Sequence, residues 1–166
     1  VRSIDKESSA VCLLQSVDKY EAIVEVIEHC SVFSTIADRP SFIRQVIARE
    51  RLQSTDVWLR HKTTVRARYD TELKRIAADP DLFDSIFLNE RDEVCEGARS
   101  NVFIRRRAGE ALLTPPLSSG LLPGVLRGSL LASGEAAECV IYEKDLRSAA
   151  EIYLGNALRG LVRVSL

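Results

Sequence analysis

Apolar residues recur at helical spacing in two stretches of this chain and in short strand-like runs through most of the rest. Between Lys19 and Cys30, the residues Ala22, Ile23, Val26 and Ile27 fall on one helical face, and Asp18 is a suitable N-cap, so a helix is expected there. Thr64 to Ala78 reads as a second amphipathic helix, ended by Asp79-Pro80 because proline has no N–H to continue the ladder. Val11-Cys12-Leu13-Leu14 has the length of a short buried strand. Phe42 to Arg51 carries Ile43, Val46 and Ile47 ahead of Arg49-Glu50-Arg51, a spacing open to a helix or to a strand leading towards Lys62. Asp38-Arg39-Pro40-Ser41 marks a turn or a boundary.

From Ser85 onwards the runs shorten and turn residues separate them. Ser85-Ile86-Phe87-Leu88 predicts a strand, Asn89-Glu90-Arg91-Asp92 a hairpin turn, and Glu93-Val94-Cys95-Glu96 its return. Asn101-Val102-Phe103-Ile104 and Ala111-Leu112-Leu113-Thr114 are two further strands, the second stopped by Pro115-Pro116. The small-residue loop Ser118 to Gly124 feeds a helix over Val125 to Ala132. Then follow a strand over Cys139 to Tyr142, a short helix over Asp145 to Ala150, and a strand at Ile152-Tyr153-Leu154. A turn at Gly155-Asn156-Ala157 leads into a last strand over Gly160 to Leu166. Hairpins outnumber crossovers, so the fold class is α+β, with a curved, largely antiparallel sheet and flanking helices.

Composition narrows the function. The 166 residues suffice for one well-filled core. With 46% hydrophobic and 28% charged residues the chain has a globular rather than a disordered balance. A net charge of −1 gives no field that would favour nucleic acid or an anionic membrane surface, and no apolar run approaches a membrane span. Cys12, Cys30, Cys95 and Cys139 lie far apart with no C-x-x-C pair, which argues against a zinc site or a disulfide framework and for a reducing cytoplasm. His29 has no second histidine or carboxylate cluster beside it and reads as a surface or cap residue. The sequence contains no methionine, so it is expected to start inside a longer gene product.

The candidate chemistry centres on Lys62. A lysine amine becomes a nucleophile towards carbonyls when burial or a nearby cation makes it easier to deprotonate, and Arg60 and Arg66 stand close by in sequence. Glu96-Gly97-Ala98-Arg99-Ser100-Asn101 places a carboxylate at the end of one strand and polar residues at the start of the next. It reads either as a polar loop or as Glu96 facing a cationic group, with Ser100 or Asn101 orienting a ligand. Leu121-Leu122-Pro123-Gly124 stands where free N–H groups and the helix dipole favour a phosphate, although an ordinary helix start has the same sequence. Gly155-Asn156-Ala157 is a second small polar turn. A lysine that forms Schiff bases, a carboxylate and two phosphate-type turns together match the needs of a pyridoxal phosphate site.

Four segments occur in one order: Arg60-His61-Lys62-Thr63-Thr64, then Asn89-Glu90 with Glu93 to Phe103, then Thr114-Pro115-Pro116 with Gly120 to Arg127, then Gly155 to Gly160. That order resembles the class IV aminotransferases, the fold-type IV pyridoxal phosphate enzymes, from about Ala48 to Leu166. Within the family the text is most similar to the 4-amino-4-deoxychorismate lyases, including the form fused to component I of aminodeoxychorismate synthase. The resemblance implies that Lys62 holds pyridoxal 5'-phosphate covalently and that Glu96 bonds its pyridinium nitrogen. It implies that Ser100 and Asn101 line the cofactor, that the backbone N–H groups of Val125 and Leu126 hold its phosphate, and that Asn156 also reaches it. Arg99 and Arg159 are candidates for substrate carboxylates.

The implied activity is conversion of 4-amino-4-deoxychorismate to 4-aminobenzoate and pyruvate, a step towards folate. An aminotransferase acting on branched-chain or D-amino acids, or a truncated non-catalytic domain, are the alternatives. The implied partners are a small-molecule substrate and a second copy of the chain in a homodimer, with aminodeoxychorismate synthase fused or associated. Family members carry a small N-terminal domain before the lysine, whereas 61 residues precede Lys62 here. Residues 1–53 are therefore expected to be a remnant or divergent N-terminal region, and 54–166 the cofactor-binding large domain.

Overall fold

The computed structural model describes residues 44–166. The strand at Val11 to Leu14, the helix after Asp18, His29 and the turn at Asp38 to Ser41 lie outside the described residues. Strand β1 (Arg44–Leu52) comes first, which decides for a strand over a helix in that stretch. A short 3-10 turn (Val57–Arg60) follows, capped by Asp56, whose carboxylate accepts the Trp58 N–H at 3.0 Å. The chain then passes through Lys62 to α1 (Ala67–Ile76). Strands β2 (Leu82–Asn89), β3 (Val94–Gly97), β4 (Asn101–Arg105) and β5 (Leu112–Thr114) lead to α2 (Val125–Ala132). Strand β6 (Ala136–Glu138), α3 (Glu143–Ser148), β7 (Glu151–Asn156) and β8 (Gly160–Val164) complete it.

Among the described residues, eight strands make one mixed sheet. Two pairings are parallel, β1 with β2 across α1 and β5 with β6 across α2. The other five are antiparallel, so the expected α+β class with a largely antiparallel sheet is what the chain adopts. Strand β4 is the branch point. It pairs with β7 along its whole length, but meets β3 at Glu96–Asn101 and β5 at Ile104–Leu113, near its opposite ends. That split curls the sheet and brings the β3–β4 turn close to the loop before α2. Strand β1, which lies before residue 54, belongs to this same sheet.

Strand alternation sorts the core. Ile86, Leu88, Val102, Ile104, Ile152 and Leu154 face one way, where they pack with Ile141 and with Leu146 of α3. The residues between them face the other way: Phe87 packs with Tyr69 of α1, and Phe103 and Tyr153 with Leu126 and Leu130 of α2. A sheet covered on both sides accounts for the near-continuous apolar runs in its strands. Phe87 and Phe103 have no exposed surface, and burying each contributes about 2–3 kcal/mol.

Several expected boundaries differ. Helix α1 starts at Ala67 rather than Thr64, because the Thr63 hydroxyl accepts the Val65 N–H at 3.1 Å and holds a turn there. The strand expected over Cys139 to Tyr142 lies earlier, at Ala136 to Glu138, paired in parallel with β5. Ile141 is instead buried in a connecting segment, its carbonyl accepting the Val94 N–H at 2.7 Å. Helix α3 starts at Glu143 because the Asp145 carboxylate accepts the Tyr142 N–H at 2.9 Å, which makes Asp145 part of a capping box rather than the first residue. Gly155 and Asn156 belong to β7, and the turn follows them. Among the described residues no helix is long and apolar enough to cross a membrane.

Candidate active site

Glu96 lies on β3 and is 6% exposed. Its Oε1 accepts the Tyr69 hydroxyl of α1 at 2.6 Å, and its Oε2 accepts the backbone N–H of Leu122 at 2.9 Å. Burial, with a smaller push from the Asp84 charge, raises the carboxyl to about 7 against those two hydrogen bonds and the charge of Arg66. Arg66 donates to the Ala98 carbonyl at 2.6 Å and sits over the Tyr69 ring at 5.1 Å.

The turn after Glu96 is folded around Asp84, a carboxylate in β2 with no exposed surface. Asp84 accepts the N–H groups of Ser85 at 2.8 Å, Ala98 at 3.0 Å and Arg99 at 3.3 Å, and the Ser100 hydroxyl at 2.6 Å. Burial raises the Asp84 carboxyl above the usual carboxylate range. A Cβ on Gly97 would collide with Asp84 and Ser100, so only glycine lets the turn close this tightly.

The Leu122 backbone also joins this turn to α2. Its N–H serves Glu96, and its carbonyl accepts the Asn101 amide at 2.9 Å. Two residues on, Gly124 begins α2 with no side-chain cap, so the first N–H groups of that helix are left to other acceptors. A Cβ on Gly124 would overlap the Asn101 side chain. Arg127, 3% exposed, braces the helix start by donating to the Pro115 carbonyl at 2.8 Å and to the Glu138 carboxylate. A second network anchors the loop on its other side. Glu93 accepts Asn89 at 2.9 Å, Arg91 at 2.7 Å and the Ser119 hydroxyl at 2.9 Å. The Arg91 guanidinium above all holds the Glu93 carboxyl down at about 2.

Hydrogen bonds and contacts thus bring Glu96, Ser100, Asn101 and the N-terminus of α2, with Val125 and Leu126, into one neighbourhood. The Ser100 hydroxyl is bound to Asp84 and the Asn101 amide to Leu122, so in this structure both hold the scaffold. Asn156 joins β7 to the turn, donating to the Arg99 carbonyl at 2.9 Å and accepting the N–H groups of Leu158 at 3.1 Å and Arg159 at 3.0 Å. The Arg99 side chain turns outwards over the Phe83 ring at 4.9 Å and onto the Phe83 carbonyl. Lys62 and Arg159 are exposed. Lys62 lies in the connection between the 3-10 turn and α1, flanked by exposed Trp58 and Val65. A cleft of about 440 Å³ lies elsewhere, between α3 and β8, and touches none of these residues.

Sequence reasoning missed Tyr69, Asp84 and the backbone of Leu122. Asp84 had a legible signal, a carboxylate inside the apolar run Leu82 to Leu88. Tyr69 had a weaker one, its place one helical turn after Arg66. The loop that holds Leu122 was marked for N–H groups that favour a phosphate, but nothing in its sequence pointed to Glu96.

Residues 20–166 match the family model of the class IV amino-transferases, and the chain belongs to that family. Over 89 residues it is 34% identical to the "Probable branched-chain-amino-acid aminotransferase" of Thermotoga maritima, covering 51% of this chain and 32% of that protein. Among solved structures, the "Putative amino-acid aminotransferase" of Mesorhizobium loti matches 78% of this chain at 41% identity and a TM-score of 0.71. The 4-amino-4-deoxychorismate lyase of Pseudomonas aeruginosa shares the fold, with 24% identity over 74% of this chain and a TM-score of 0.64. The chain spans 61% of the Mesorhizobium protein and 46% of the Pseudomonas one.

Class IV aminotransferases are pyridoxal phosphate enzymes, and a branched-chain aminotransferase of the same fold from Thermobaculum terrenum is known in its PLP form. The residues present fit that cofactor. Each Glu96 oxygen carries one hydrogen bond and keeps a lone pair for a ring N–H, and α2 offers an uncapped, glycine-led N-terminus to an anion.

Proposed function

We propose that this chain carries the cofactor-binding core of a pyridoxal phosphate-dependent lyase that converts 4-amino-4-deoxychorismate to 4-aminobenzoate and pyruvate. The observation that carries the cofactor site is the buried, doubly held Glu96 beside the uncapped start of α2. The lyase reading rests on the Arg-rich stretch after Lys62, with Arg66 and Arg68, and on Thr114-Pro115-Pro116, through their resemblance to the lyases. In this reading Lys62 tethers the cofactor, Glu96 faces its ring nitrogen, and the N–H groups of Val125 and Leu126 take the phosphate. Ser100 and Asn101 hold the cofactor wall in place, with Asn156 beneath the same turn.

Bound pyridoxal phosphate supplies an electron sink for the carbon that bears the substrate amine. Lys62, once released, takes the proton from that carbon on its Nζ; tethering places the base beside its target, which substitutes for an improbable collision. The ionised Glu96 stabilises a positive ring nitrogen. The ring C–O bond to the enolpyruvyl group breaks with its electron pair on oxygen, the released enol takes a proton on its methylene carbon to become pyruvate, and the remaining ring becomes aromatic, which drives the step. Arg99 and Arg159 are proposed contacts for the substrate carboxylates. A homodimer, a fused or associated synthase and a cytoplasmic location accompany this reading, as does a divergent N-terminal region ahead of the large domain, whose sheet already includes β1.

The 41% identity to the Mesorhizobium protein favours a second reading, an amino-acid aminotransferase on the same scaffold. A borohydride-reduced cofactor adduct mapped to Lys62 by mass spectrometry tests the site. Pyruvate release from aminodeoxychorismate against keto-acid-dependent amino transfer separates the two reactions. Lys62→Ala should give no adduct and no turnover of either kind; retained turnover would refute the assignment of Lys62.

A further inference from the structure

We propose that Tyr69 is a positioning residue for Glu96: its phenol, donating to Oε1 from the helix after the Lys62 connection, fixes the carboxylate plane and holds it ionised to meet a protonated ring nitrogen. The inference rests on the reading of Glu96 as the partner of that nitrogen. The Tyr69–Glu96 bond is 2.6 Å long and buried at both ends. Tyr69 is itself held in place. Its ring stands edge-on to Phe87 at 5.1 Å, and the Arg66 guanidinium lies 5.1 Å over its face. Arg66 also donates to the Ala98 carbonyl, so the start of α1 is tied to β3 and the β3–β4 turn at two points.

The phenol favours the charged form of Glu96 over the neutral one. Burial first, and then the Glu96 charge, push the Tyr69 hydroxyl above its ordinary range, so it stays a donor. The groups facing Glu96 divide cleanly. Tyr69 and Arg66 from the α1 side and the Leu122 N–H from the loop before α2 favour the carboxylate; burial and Asp84 of β2 oppose it. Cys95, adjacent on β3, is pushed up by its own burial and remains a neutral thiol. Removing the phenol therefore deletes one bond that favours the charge and none that opposes it.

Tyr69→Phe keeps the ring against Phe87 and Arg66 and removes only the hydroxyl. In the full chain with 13C-labelled glutamate carboxyls, the Glu96 signal is identified by its loss in Glu96→Gln. Its titration midpoint should rise by about one pH unit in Tyr69→Phe, the worth of one hydrogen bond to a charged group. Visible titration with pyridoxal phosphate should show a dissociation constant about fivefold weaker at pH 7, the gap narrowing as pH rises and Glu96 ionises in both proteins. If Tyr69→Phe does not fold, 3-fluorotyrosine at position 69 is a stronger donor of nearly the same shape and should move the midpoint downwards. An unmoved midpoint in a folded variant that still takes up cofactor overturns the Tyr69 inference alone. A wild-type chain that takes up no cofactor overturns the reading of the site, whatever Glu96 does.

Discussion

Glu93 and Glu96 lie three residues apart on one hairpin arm, and the fold treats their charges in opposite ways. Glu93 meets a guanidinium, a primary amide and a hydroxyl within 2.9 Å, and its carboxyl sits at about 2. Glu96 meets one phenol and one backbone N–H, with Asp84 near enough to repel it, and its carboxyl sits at about 7. Glu93 is therefore ionised at any ordinary pH, and its charge ties the β2–β3 hairpin to the loop at Ser119. Glu96 is left close to its midpoint near neutral pH, with bonding capacity to spare. A fully compensated charge serves architecture, and an under-compensated buried one is available for chemistry.

The largest break comes from Asp84, which supports the Glu96 side. Asp84→Ala leaves three N–H donors and the Ser100 hydroxyl without their acceptor in a buried turn. Urea unfolding at pH 7 should show a loss of about 4 kcal/mol, as several buried donors are unpaired at once. A loss below about 1 kcal/mol would mean that the turn does not depend on this carboxylate.

A middle-sized effect sharpens the contrast through pH. The folded Glu96 carboxyl lies above its ordinary value of 4.5, at about 7, so the folded state binds more protons than the unfolded chain between those limits. Stability should fall as pH rises through that window. Glu96→Gln removes the titration and should flatten the slope. Equal slopes in the two proteins would contradict the position given to Glu96.

Glu93 should behave with the opposite sign and the smallest shift. Its stabilising contribution is present above its ordinary value of 4.5 and is lost as pH falls towards about 2. Arg91→Met removes the main cause of that depression, so the acid unfolding midpoint should move to higher pH while the slope between pH 5 and 7 keeps the wild-type form. Circular dichroism followed through an acid titration reads this directly, and an unmoved midpoint would assign Glu93 a lesser role in acid stability.

Much of the scaffold was legible because local pattern dictates it. Helix α2 spans Val125–Ala132, as its glycine-led start and small-residue loop predict, and β4 covers the apolar run that follows Asn101. The stop of β5 at Pro115 follows from a missing N–H. Boundaries slipped where a side chain competed with the backbone, at Thr63 and Asp145, and where the segment before Ile141 traded pairing for burial. Residue types sufficed to mark Lys62, Glu96 and the start of α2 as candidates.

What the sequence by itself determined, then, is the order of strands and helices and the inventory of groups able to act, because propensity, period and turn chemistry are local. What only the tertiary structure decided is the environment of each group. Tyr69 reaches Glu96 across 27 residues, Leu122 across 26, and Asp84 reaches Ala98 across 14. Those meetings depend on sheet register and on α1 packing over β2, and they set burial and hydrogen-bond count. Burial and hydrogen-bond count in turn make one glutamate of this hairpin a fixed anion and the other a titrating one.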